Sequence, residues 1–251
     1  MQIGNSPYEL NTINNEECLQ AMKKLPDKYF ELAIVDPPYG IGMDKTTLSN
    51  RASNSKKFKN YKGKQYIGEW IDNKPAPKEY FKELFRISKN QIIWGANHFI
   101  EQFNKNSSCW IVWYKNGQCP TSTNADCELA WASFKTAVKY FRYDWSGFGA
   151  VNSKENKIHP TQKPVALYEW LLNNYAKKGD KILDTHLGSA SSIIACKKLG
   201  FEYLGFELDP DYFKSASERI AKFEAQGNMF SILNEQLKAK QINLFNSNPK
   251  E

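Results

Sequence analysis

The sequence predicts an α/β fold built on a doubly wound sheet, and three observations carry that expectation. Leu32-Ala33-Ile34-Val35 is a short apolar run with two β-branched residues, the pattern of a strand buried on both faces. Asp36-Pro37-Pro38-Tyr39 ends it, because neither proline can donate to a sheet ladder. The last third of the chain twice alternates strand and helix patterns, which is how parallel strands are connected.

Taken in order, residues 13–25 read as a short amphipathic helix, with Ile13, Cys18, Leu19, Met22 and Leu25 near helical spacing. The buried strand follows, and Gly40 and Gly42 give the backbone freedom beside its end. Tyr80, Phe81, Leu84 and Phe85 mark a helix between Pro77 and Ser88. Residues 91–94, 109–114 and 128–134 read as strands, and 141–158 as irregular. Pro164 opens a helix through Tyr175, which Lys177-Lys178-Gly179 closes. A strand over 181–184 leads through Gly188-Ser189-Ala190 into a helix ending at Leu199, with Gly200 as its cap. A strand over 201–207 and a long helix from Asp211 complete the pattern.

The chain of 251 residues suffices for one substantial core. No apolar run approaches the ~20 residues of a membrane span, and the N-terminus lacks a charged-then-apolar signal pattern. Five cysteines form no Cys-x-x-Cys pair, which points to a reducing cytoplasm and away from zinc or a disulfide framework. The net charge of +7 is local. Between Lys45 and Gly68 stand Lys45, Arg51, Lys56, Lys57, Lys59, Lys62 and Lys64, with no acid among them. A solvated loop is the bland reading of such a run. Its place beside the strand end, with Phe58, Tyr61 and Tyr66 interleaved, favours a loop that contacts phosphates.

A strand, an acid, a Gly-Ser turn, a helix, a second strand and a second acid are what an adenosine cofactor asks for. Here these are Asp184, Gly188, Ser189 and Glu207, the last placed to accept from ribose hydroxyls. At the other strand end, Asp36 and the Pro37 carbonyl are two acceptors beside the ring of Tyr39.

Asp36-Pro37-Pro38-Tyr39 after a hydrophobic strand resembles the catalytic motif of the S-adenosylmethionine-dependent amino methyltransferases of DNA, which methylate adenine N6 or cytosine N4. Trp94-Gly95-Ala96-Asn97-His98-Phe99 with Ala125-Asp126-Cys127-Glu128-Leu129-Ala130-Trp131 resembles their phage-type members. His159-Pro160-Thr161-Gln162-Lys163-Pro164, Asp184-Thr185-His186-Leu187-Gly188-Ser189 and Gly205-Phe206-Glu207-Leu208-Asp209 resemble the three cofactor elements. The catalytic half precedes the cofactor half, as in the β-type order. The commoner middle element is Asp-Pro-Phe-x-Gly-Ser-Gly-Thr, from which Thr185, His186, Ala190 and Ser191 depart. The Ala190 methyl is expected to crowd the methionine end of the cofactor.

The resemblance implies a Rossmann-like, doubly wound mixed sheet of the methyltransferase type with a small recognition insert. It implies Asp36, Pro37, Pro38 and Tyr39 as catalytic residues and S-adenosylmethionine as cofactor. Lys163, Asp184, Gly188, Ser189 and Glu207 would bind that cofactor, with Glu17 near its adenine, where Glu16 fits almost as well. The layout expected is one domain: a catalytic half over about 10–135 containing the basic loop 45–68, a short recognition segment over about 136–158, and a cofactor half over about 159–230.

An exocyclic amine conjugated with its ring is a poor nucleophile. If Asp36 and the Pro37 carbonyl each accept one of its N–H groups, the nitrogen can become tetrahedral and aim its lone pair at a sulfonium methyl. Tyr39 would stack on the base once it leaves the duplex. No metal is needed, and DNA is the expected partner. Asp rather than Ser before Pro-Pro-Tyr tilts the choice toward adenine N6. Cytosine N4 or RNA methylation, or a nucleic-acid-binding relative weak in turnover, are the alternatives. Relatives are often homodimers, although no interface is legible here. Gln241-Ile242-Asn243-Leu244-Phe245 resembles the Gln-x-x-Leu-Phe peptides that dock on the replicative sliding clamp, with Gln241, Leu244 and Phe245 as its fixed positions. The alternative is that Leu244 and Phe245 fold back on the last helix.

Overall fold

A computed structural model of the chain describes residues 5–41, 74–115, 125–145 and 157–227. The basic segment from Lys45 to Lys64 and the clamp-like residues Gln241, Leu244 and Phe245 lie outside them, as do residues 146–156 of the stretch expected to be a recognition segment.

Among the described residues, eight strands form one sheet in the order β1-β8-β7-β2-β3-β5-β4-β6. The strands are β1 (Thr12–Asn15), β2 (Phe30–Val35), β3 (Ser88–Trp94), β4 (Cys109–Tyr114), β5 (Cys127–Ala132), β6 (Lys139–Arg142), β7 (Lys181–Asp184) and β8 (Glu202–Glu207). From β1 to β3 every pairing is parallel. β5 runs antiparallel to β3 and β4, and β6 lies parallel on the far side of β4. The sheet is therefore mixed, with a parallel centre.

β2 shows why helices cover both faces. Successive side chains of a strand point to opposite faces. Leu32 and Ile34 pack with Leu167 and Leu171 of α4 (Val165–Tyr175) and Ile193 of α5 (Ser191–Leu199). Ala33 and Val35 pack on the other face with Met22 of α1 (Cys18–Lys23) and Phe81 and Leu84 of α2 (Lys78–Ile87). With no polar face to show, β2 has to be a continuous apolar run. A short helix α3 (Ile100–Phe103) follows β3, and a further helix, α6, runs through residues 210–227.

Three boundaries differ from the sequence reading. The helix expected over 13–25 starts only at Cys18, because Thr12–Asn15 is taken by the sheet, where Ile13 pairs with Gly205. Periodicity alone counted Ile13 with the helix, since both patterns need an apolar residue there. Lys139–Arg142, read only partly and as irregular, is strand β6; it is mostly exposed, so no apolar alternation betrays it. Tyr175 is followed by an extended cap at Ala176, and Gly179 forms the next turn rather than the helix end. No helix among the described residues is long and apolar enough to cross a membrane.

Candidate active site

β2 and β7 are adjacent parallel strands, paired Leu32 with Ile182 and Ala33 with Leu183. From β2 the chain continues outward through β3, whereas from β7 it continues outward on the other side through β8. Their carboxyl ends therefore open at the point where the strand order reverses, the usual ligand site of open α/β sheets. A cleft of about 370 Å³ lies there. Asp36 and Pro38 line it from β2, Leu187, Gly188 and Ser189 from the turn after β7, and Glu207 from β8. Glu16, Glu17 and Cys18 close one side and the 159–163 segment another.

Glu207 is held at both oxygens. Gly188 N donates to Oε2 at 2.7 Å and Asp209 N to Oε1 at 3.0 Å. Each oxygen keeps a lone pair for a ligand hydroxyl. Burial raises the Glu207 carboxyl above its usual range, against those backbone donors. Glu17 caps α1, accepting from Leu19 N and Gln20 N at 2.9 Å each. Glu16 is occupied by Lys24 and the Tyr8 hydroxyl.

Asp184 stands behind the cleft wall and is absent from its lining. It accepts from His186 N at 3.0 Å and from the Ser192 hydroxyl, tying the Gly-Ser turn to α5. Burial pushes its carboxyl up to about 7. The same turn is braced from α2, where the Tyr80 hydroxyl meets Thr185 Oγ1 at 2.6 Å, itself 3.0 Å from His186 Nδ1. Tyr80 was legible only as one apolar position of a helix. Ala190, expected to crowd the cofactor, is fully buried in the core and does not line the cleft. Its φ of 60° is a glycine-like conformation. That backbone costs an alanine roughly 1–2 kcal/mol relative to glycine, of which the buried methyl offsets about 0.8 kcal/mol.

In the corner after β2 the side chains of Asp36 and Tyr39 are held by hydrogen bonds. The Tyr39 hydroxyl donates to Asp36 Oδ1 at 2.6 Å, and Lys163 Nζ pairs with Asp36 Oδ2. The Lys163 ammonium also reaches Glu128 Oε2 at 3.2 Å and Tyr39 Oη at 3.4 Å. Glu128 accepts from Lys115 at 2.5 Å through its other oxygen. Burial opposes the Glu128 charge, yet Lys163 and Lys115 beside it hold its carboxyl down at about 2. Burial likewise opposes the charge of Lys163, and Asp36 and Glu128 overcome it, raising its pKa. Glu128 was not singled out in the sequence. The signal available was a lone acid at the head of an apolar strand.

Tyr39 is fixed by its surroundings. Its ring stacks on His98 with centroids 5.2 Å apart and planes 18° apart. Gly95, left-handed at φ 67°, lets the ring lie against the backbone; a Cβ there would come within 2.1 Å of Tyr39 Cε1. Tyr39 also bridges to Pro75. The two described ends that flank the basic segment therefore meet beside this corner.

Fold and cleft together define an S-adenosylmethionine-dependent methyltransferase. The chain belongs to the DNA methylase family of N6/N4 amino methyltransferases, whose pattern matches residues 30–218. It is 25% identical over 249 residues to the type II methyltransferase M.HpaI of Haemophilus parainfluenzae, covering 88% of this chain and 76% of that protein. The M1.HpyAVI–S-adenosylmethionine complex shares the fold at TM-score 0.50 and 23% identity, over 83% of this chain and 98% of that one. The cytosine-N4-specific PvuII DNA methyltransferase does so at TM-score 0.55 and 12% identity, over 84% and 90%. The cleft suits the family's cofactor: its volume falls in the range of small-molecule sites, and the half-buried Glu207 carboxylate lines it together with the glycine turn that donates to it.

Two predictions follow from this geometry. Gly95→Ala should lower stability by about 2 kcal/mol or more, since it adds both strain and a clash with Tyr39; urea unfolding of the variant checks this. The second concerns acid. Burial lowers the imidazoles of His159 and His186 to about 4 from an ordinary 6.5. A folded pKa below the unfolded one stabilises the protein above the unfolded value and is lost as pH falls through the folded value. Asp184, with its raised carboxyl, acts in the opposite sense. His186→Asn should therefore lose less stability than the native chain between pH 6.5 and 4. Equal losses in denaturant titrations would exclude His186 from that response.

Proposed function

We propose that the protein is a site-specific DNA methyltransferase that transfers a methyl group to adenine N6, on a base flipped out of the duplex. The observation that carries this reading is that Asp36 and Glu207, far apart in sequence, line one cleft. When bound, S-adenosylmethionine supplies an electrophilic methyl group on a sulfonium. Glu207 would accept from its ribose hydroxyls, and Gly188 and Ser189 would let backbone approach it. Asp36 and the Pro37 carbonyl accept the two N–H groups of the target amine, and Pro38 keeps that corner rigid. Tyr39, braced by Gly95 and His98, offers its ring edge and face to the base. No covalent enzyme intermediate would be needed: by holding both N–H groups, Asp36 and the Pro37 carbonyl would free the amine's lone pair for direct transfer, in which the sulfur keeps the electron pair of its bond to the methyl group and the nitrogen gives up one proton.

The aspartate of Asp36-Pro37-Pro38-Tyr39 favours adenine over cytosine. The fold does not discriminate, since the cytosine-N4-specific PvuII enzyme shares it. Lys45, Arg51, Lys56, Lys57, Lys59, Lys62 and Lys64 would contact DNA phosphates from beside the corner, where the flanking ends of their segment meet. The enzyme would act alone or alongside a nuclease encoded elsewhere, with a homodimer and a clamp contact through Leu244 and Phe245 as further readings of the sequence.

Asp36→Ala should lower methyl transfer to DNA by about a hundredfold or more while leaving cofactor affinity within about threefold. Labelled-cofactor assays and calorimetry measure the two, and retained turnover would refute the role. Glu207→Gln should weaken cofactor binding by about tenfold, the scale of a lost charge-assisted hydrogen bond. Finding N4-methylcytosine instead of N6-methyladenine in DNA from expressing cells would overturn the choice of base.

A further inference from the structure

We infer that Lys163 and Glu128 are positioning residues for methyl transfer, holding the Asp36 carboxylate in the orientation that accepts the amine. This rests on the reading of Asp36 given above. The resemblance to known enzymes implies Lys163 as a cofactor-binding residue; it lines the cleft, and its ammonium is also tied to Asp36 and Glu128.

An ammonium has three protons and no acceptor. Those of Lys163 have three oxygens within reach: Asp36 Oδ2, Glu128 Oε2 at 3.2 Å and Tyr39 Oη at 3.4 Å. None is left for the cofactor unless one of these is given up. The tyrosine hydroxyl, accepting from Lys163, has its own proton directed to Asp36 Oδ1 at 2.6 Å. Both carboxylate oxygens of Asp36 are thereby oriented by one cation, directly and through Tyr39.

Charge supports the same assignment. The Lys163 side chain is only 3% exposed, against 18% for Asp36 and 22% for Glu128. A buried lysine paired with one aspartate alone would draw that carboxylate toward itself and away from a ligand. Glu128 shares the cation, and Lys115 balances Glu128 from its outer side at 2.5 Å. The four groups are neutral as a set and come from four separate parts of the sheet, after β2, after β4, within β5 and before α4. Without Glu128, Lys163 has Asp36 as its remaining anion and tightens on it.

The test is Glu128→Gln in the full chain, which keeps the shape and removes the charge. Its kcat for methyl transfer from labelled S-adenosylmethionine to DNA should fall about tenfold, with KM for DNA and the calorimetric Kd for S-adenosylmethionine within about twofold of native. Glu128→Asp should recover part of the lost kcat. A kcat within about twofold of native, or a cofactor affinity that falls in step with kcat, overturns the assignment. If Glu128→Gln does not fold, Lys115→Gln at the outer end of the set should lower kcat about threefold at unchanged cofactor Kd, and an unchanged kcat overturns it equally. A native chain that methylates no DNA defeats the function proposed above together with this inference. An active native chain with an unaffected variant defeats this inference alone.

Discussion

The pairing of β2 with β7 is the contact on which the rest of the structure depends. Leu32 faces Ile182 and Ala33 faces Leu183, bringing together strands from distant parts of the chain. Parallel neighbours end on the same side of a sheet. One therefore delivers the Asp36 corner and the other the glycine turn to a single opening. Because the chain leaves these two strands in opposite directions across the sheet, a cleft is left at their ends. A slip of one residue would exchange the faces of β2, setting Leu32 and Ile34 against α1 and α2. The two helical layers pack on different residues of that strand, so they enforce the register.

Within the cleft, each wall is rigid for a different reason. On the cofactor side, Asp184, Ser192 and the His186 amide tie the turn to α5, while Tyr80 and Thr185 brace it from α2. The turn can then present Gly188 N to Glu207 without a side chain intervening. On the catalytic side rigidity is electrostatic. Four alternating charges and one phenol hold each other in a setting where an unpaired charge would be expensive to bury. In the function proposed above, acceptors preorganised in this way would need little rearrangement to take a target amine.

The aromatic residues beside the corner link the two kinds of rigidity. Tyr39 donates to Asp36, stacks on His98 and rests on the bare backbone of Gly95. Its ring direction is thus set by β3 and the turn after it, elements that do not line the cleft. The antiparallel excursion through β4 and β5 returns Glu128 to this place and makes the catalytic half more than a support for one motif.

Much of this was legible in the amino-acid sequence. The apolar run of β2, its proline stop, the glycine turn and the two later strands follow from local chemistry, because each needs only its neighbours to be favoured. Asp36, Glu207 and Gly188 were recognisable on the same ground. What local chemistry could not reveal was use made at a distance. Ile13 suits a helix or a strand, and only β8 decides between them. Asp184 was expected to contact the cofactor; its carboxylate accepts from the Ser192 hydroxyl and the His186 amide behind the cleft wall, a placement that its own neighbours in the chain do not reveal. Lys163 and Glu128 stand 35 positions apart with nothing in either neighbourhood to pair them. The sequence by itself determined which strands, turns and chemical groups exist; the tertiary structure decided which of those groups meet, since a buried charge finds its partner through the packing of the sheet and not through the order of the chain.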